Sequence, residues 1–128
     1  MRSPENQALD DFGRFLSVNL RDCALDFIEG LIAGRWQAPA LRNLQASVAT
    51  GSGVQQDILR RAARSAIDAA IHNFLFQLQE QSDGERQIVV ISSGHDVGRT
   101  TDGLHGEIFT AEGWFARYSA YGVPNDDI

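Results

Sequence analysis

The chain has 128 residues, 43% hydrophobic and 22% charged, with a formal net charge of −6 and a single cysteine. That length is enough to bury a core without disulfide or metal staples, and the composition excludes a disordered or membrane-spanning chain. All eleven cationic residues are arginine, and an acidic chain of this kind repels nucleic-acid phosphates while favouring fixed ion pairs.

Ser3, Pro4 and Glu5 form a helix start: a hydroxyl cap, proline at the first helical position and an acid at the positive end of the dipole. Apolar residues then recur as Leu9, Phe12, Leu16, Leu20, Cys23, Ala24, Phe27 and Leu31. These spacings of three and four predict one helical face over residues 4–33, with a weak point at residues 17–19 and a stop at the glycines from 30 to 34. Within that stripe Cys23 reads as a small core filler. Trp36 and Pro39 lie in the following connection, and a shorter helix is predicted over residues 39–49.

Ser52 with Gln55 fits a capping box and opens the strongest element, a helix over residues 54–80. Its stripe includes Ile58, Leu59, Ala62, Ala66, Ile67, Ile71, Phe74 and Leu78; the alanines allow another helix to approach closely. After the turn Ser82-Asp83-Gly84, the β-branched run at residues 87–91 predicts a strand. Its partner is expected across the Ser92-Ser93-Gly94 turn near Val97, and again at residues 107–109. Thr110 is expected to cap a last helix over residues 111–121 carrying Trp114, Phe115, Tyr118 and Tyr121. The fold expected is a single α+β, mostly α domain over residues 1–128: about four bundled helices with a small antiparallel hairpin or short sheet in the C-terminal third.

Asp68 and His72 are one turn apart on the long helix. With His95, Asp96, Asp102 and His105 they form the candidate residues of a small hydrolase or metal-dependent enzyme. None of them has the paired spacing of a metal site, and neither Ser92 nor Ser93 lies in a nucleophile elbow, so no metal or cofactor is expected. Gly51 and Gly53 precede a helix without the lysine of a P-loop. Arg60, Arg61 and Arg64 form a basic patch without interleaved aromatics, which reads as a solvated face pairing with Asp57 and Asp68.

Residues 82–128 hold eight acids against three arginines, whereas residues 1–81 are nearly balanced, with nine against eight. This acidic third also holds the aromatic helix, and large rings at low entropy cost are typical interface anchors. The functional expectation is a non-catalytic protein-binding module, an inhibitor, immunity-like or adaptor protein or a homodimer. Its contact residues are expected to be Trp114, Tyr118, Tyr121 and Glu112. Nucleic acid and membrane are not expected as partners. The opening residues carry no secretory or transit pattern, so a cytoplasmic location is expected.

Overall fold

The computed structural model describes residues 2–85 and 87–124. It is mostly helical with one small antiparallel pair of strands, as the hydrophobic periodicity requires. Helix α1 (Pro4–Leu16) starts where predicted, with the Ser3 hydroxyl accepting from the Asn6 amide at 3.2 Å. It continues through a π-helical segment (Ser17–Asp22) into α2 (Cys23–Ala33), which ends on Gly34 in the left-handed conformation. Next come α3 (Pro39–Ala49) and α4 (Gly53–Asp83), the latter with both halves of the Ser52/Gln55 capping box formed.

The π segment corrects the expected face of the first helix. Its wider turn rotates the helix relative to a 3.6-residue repeat, so Ser17, Arg21 and Asp22 turn inward, followed by Leu25. Leu20, Cys23 and Phe27, which straightforward periodicity placed in the core, are exposed.

The strand expected over residues 87–91 shrinks to β1 (Ile91–Ser92), paired antiparallel with β2 (His95–Asp96). Ser93 and Gly94, both at positive φ, make the two-residue connection, as the right-handed twist of a tight hairpin demands. Val97 does not extend the ladder as a strand; it opens the short α5 (Val97–Thr100), capped by the Asp96 side chain on the Gly98 amide. Residues 107–109 are not a strand either: a 3-10 turn (Leu104–Glu107) occupies their beginning. The last helix, α6 (Trp114–Tyr118), is shorter than expected and follows Gly113 instead of a Thr110 cap.

The core collects on the second half of α4. Ile71, Leu75 and Leu78 pack with Leu9 and Leu16 of α1 and with Val97, Leu104, Ile108, Trp114 and Phe115. All buried residues of α4 lie from Asp68 onward, and in α3 only Gln45 is buried. Gln45 is held by two 2.8 Å hydrogen bonds with the Trp36 backbone, one donated and one accepted. Because the C-terminal third has little regular structure, side chains on α4 hold it in place. Gln79 donates to the Gly98 carbonyl at 2.8 Å and accepts from the Leu104 amide at 2.9 Å, satisfying backbone groups that no ladder reaches.

Candidate functional site

Trp114 is the first residue to be reassigned. Its ring is 0% exposed and meets Phe12 edge-on at 5.8 Å. Gly13 leaves room for it, since a Cβ there would lie 2.3 Å from the indole. A ring enclosed in this way cannot touch a partner, so the expected contact at Trp114 is corrected to a core position. Tyr118 and Tyr121 are half-buried, and Glu112 is exposed. Tyr118 lies under two guanidiniums, Arg14 at 5.3 Å and Arg117 at 4.9 Å. The Tyr121 hydroxyl donates to Asp26. Desolvation first, then that carboxylate, pushes its pKa up to about 12.

The densest polar constellation is one that sequence reasoning missed, centred on Arg21. Its guanidinium is fully buried and grips Asp68 with two bonds of 2.7 and 3.0 Å. Nη1 donates to the Ser119 hydroxyl at 3.0 Å and to the Gly122 carbonyl. The ring of Phe115 lies 4.1 Å from the guanidinium carbon. Beside it, Asp22 accepts from the Ser119 hydroxyl at 2.5 Å and from the Ala120 amide at 2.9 Å. Arg64 donates to the carbonyls of Tyr121 and Val123. This network fastens the segment after α6 onto the π segment and α4, so Asp68 is occupied as a structural partner of Arg21. The available signal was the adjacent Arg21-Asp22 pair inside an apolar-periodic run.

The remaining arginines of the patch are also accounted for. Arg60 pairs with Glu29 at 2.5 Å and with Asp57 at 3.3 Å, and the Glu29 hydrogen bond first among its partners raises its pKa. The expected pairing with Asp57 is therefore present, while Asp68 is taken by Arg21. Arg61 is exposed.

The three histidines separate into a pair and a single. His72 on α4 and His105 in the 3-10 turn meet edge to face, with ring centroids 5.3 Å apart. Phe76 lies 5.0 Å from His105, and Phe109 stacks on His72 at 6.1 Å. The His105 Nδ1 is buried without a hydrogen-bond partner. His95 sits on β2, near the start of α1. There Glu5 is held below the usual carboxylate range, mainly by a backbone hydrogen bond, then by Ser3, with a smaller Coulombic pull from His95. Asp96 caps α5, and Asp102 is exposed. Of the six candidate residues of an enzyme, His72 and His105 thus come into ring contact, while Asp68 is bound to Arg21 and Asp96 caps α5. Among the described residues no group of three or more His, Cys, Asp or Glu is arranged to hold a metal ion, and no helix is long and apolar enough to cross a membrane.

What the interior does not absorb is apolar surface. Among the described residues fifteen large hydrophobic side chains are exposed. They include Val54, Ile58 and Leu59 on the first half of α4, and Ile88, Val89 and Ile91 around β1. The end of α3 and the start of α4 flank an open groove lined by Leu59, Val48 and Gln56 among others.

Comparison with family models, with curated proteins and with solved structures finds no match.

Proposed function

We propose that this chain is a non-catalytic protein-binding module. The observation that supports it is the grouping of exposed large apolar side chains, among the described residues, on the first half of α4 and around β1. Scattered single hydrophobics are ordinary on a protein surface, but grouped ones mark a contact face. The polar groups fit this reading too. Arg21, Arg60, Arg64, Asp22 and Asp68 are paired with one another, with other side chains or with backbone, and so are committed to holding the fold. On this reading the principal contact surface is the apolar faces of α4 and β1, and Glu112, Tyr118 and Tyr121 supply a polar rim. Light scattering combined with affinity capture of the tagged chain tests the reading: a complex or a specific partner is expected, and a strict monomer that captures nothing specific overturns it.

A second reading, a small hydrolase or metal-dependent enzyme, is favoured by one observation, the 5.3 Å contact of His72 with His105. Two imidazoles that close suit shared proton transfer or joint ligation of a borderline metal ion. It predicts zinc-dependent perturbation of both histidine ring resonances, lost in His105→Ala. Unchanged resonances in millimolar zinc, together with no hydrolysis of generic ester substrates, would remove it.

A further inference from the structure

Residues 119–123, which follow α6, lie across the π segment and α4 in the manner of a bound peptide. Among the described residues their backbone pairs with other backbone only in α6, from which they emerge, and within the segment itself. Side chains reading a main chain hold them in place. Asp22 accepts from the Ala120 amide at 2.9 Å, and Arg21 donates to the Ser119 hydroxyl at 3.0 Å and to the Gly122 carbonyl. Arg64 donates from Nη2 to the carbonyls of Tyr121 at 2.7 Å and Val123 at 3.3 Å. The Tyr121 hydroxyl adds a bond to Asp26, an exposed residue of α2.

The segment does not exhaust the donors of this cleft. The Arg64 Nε is buried without a hydrogen-bond partner, and such orphaned donors are uncommon in a folded chain. Nε and Nη2 share one edge of a guanidinium, the edge with which Arg21 grips both oxygens of Asp68 at 2.7 and 3.0 Å. Val123 offers Arg64 a single carbonyl oxygen. A chain ending at that position would keep this oxygen and add a second for Nε, turning a neutral contact into a charge-assisted fork.

Resting on the binding-module reading, we infer that this cleft is a peptide site for the free C-terminus of a partner protein, and that residues 119–123 occupy it as a competitor in cis. The ligand is an extended end with tyrosine two residues before its terminal carboxylate. Asp22 reads the amide before the tyrosine, Asp26 its hydroxyl and Arg64 the carboxylate, a form of terminal-carboxylate capture. The residue between tyrosine and the end is glycine, because Gly122 holds φ at +66°. Tethering keeps the cis segment at a local concentration of about millimolar, so a partner's end displaces it by supplying the group it lacks, the carboxylate.

Fluorescence anisotropy with a labelled peptide copying residues 116–123, made as the free acid and as the C-terminal amide, tests the inference on the full chain. Tyr121→Ala loosens the cis segment and leaves Asp22, Asp26 and Arg64 in place; hydrogen exchange after α6 is expected to accelerate in it. This variant is expected to bind the free acid about tenfold or more tightly than the wild type does. It is also expected to bind the acid about tenfold or more tightly than the amide, a comparison made on one protein and so independent of any loss of fold. Adding Arg64→Gln is expected to close the gap between acid and amide. No gain over the wild type, or exchange after α6 that does not accelerate, overturns the segment as a displaceable occupant. Acid and amide bound alike by Tyr121→Ala, or a gap that survives Arg64→Gln, overturns the carboxylate site. Specific capture or self-association by the intact chain alongside either failure leaves the broader binding reading standing.

Discussion

Asp68→Asn is the sharpest test of how the buried polar network supports the fold. The substitution keeps the side-chain size and removes one charge, leaving the Arg21 guanidinium enclosed without its carboxylate. Arg21 is fully buried, and two of its hydrogen bonds, at 2.7 and 3.0 Å, go to Asp68. Its other direct contacts, the Ser119 hydroxyl, the Gly122 carbonyl and the Phe115 ring, are neutral, and the Asp22 carboxylate is linked to it through the Ser119 hydroxyl. Removing one partner of a buried, hydrogen-bonded ion pair costs about 3–5 kcal/mol, because the remaining charge loses its compensation without returning to water. Against a total stability of about 5–15 kcal/mol, that is a large fraction. For a chain of this length it corresponds to a fall in melting temperature of about 10–20 °C. Urea denaturation followed by far-ultraviolet circular dichroism and tryptophan fluorescence measures it. The double variant Arg21→Met with Asp68→Asn should show a coupling of about 2 kcal/mol or more between the positions. A loss below about 1 kcal/mol for Asp68→Asn would refute the claim that the pair is desolvated and interdependent.

Three further outcomes follow from the packing. Gly13→Ala should lower the urea midpoint: helix propensity favours alanine by about 1 kcal/mol, but a Cβ 2.3 Å from the Trp114 ring forces a repacking that costs about 1–3 kcal/mol or more; a raised midpoint would show that the ring moves freely. Tyr121 has a folded pKa of about 12, above the ordinary phenol value, so its contribution is complete below the unfolded value near 10 and is lost as pH rises through the folded value. Stability should therefore fall between about pH 10 and pH 12, and Tyr121→Phe should flatten that part of a denaturation series; an identical slope in both proteins would contradict the assignment. Arg64→Ala removes donors to the Tyr121 and Val123 carbonyls, so hydrogen exchange after α6 should accelerate while exchange in the second half of α4 stays slow. Unchanged exchange there would mean that Arg21 and Asp22 suffice to hold the segment.

Local rules acting over a few residues made much of the secondary structure readable from the chain alone. The Ser3 cap, the Ser52/Gln55 capping box, the Gly34 stop and the tight turn at Ser93-Gly94 each depend on neighbours in sequence, and each is present. The mostly helical class with a small β element follows from the same periodicity. The strand at residues 87–91 was overestimated because β-branched propensity reports a preference for a half-buried sheet surface, and only a two-residue ladder exists to supply one.

The candidate sites depended on which residues meet across long stretches of chain, and the sequence carries little trace of that. Arg21 and Asp68 are 47 positions apart and Asp22 and Ala120 are 98 apart; only packing brings them together. The rotation introduced by the π segment decided that Arg21 is enclosed while Leu20 and Cys23 face out. Likewise, the alternation of alanines and large apolar residues on α4 was visible in the chain, but which stripe the core would use was settled by α1 and the 3-10 turn packing on the other side. Sequence determined the elements and their punctuation, because those rest on local hydrogen bonds and backbone preferences. Tertiary structure determined which faces are filled, because burial is a property of the assembled core and not of any one helix.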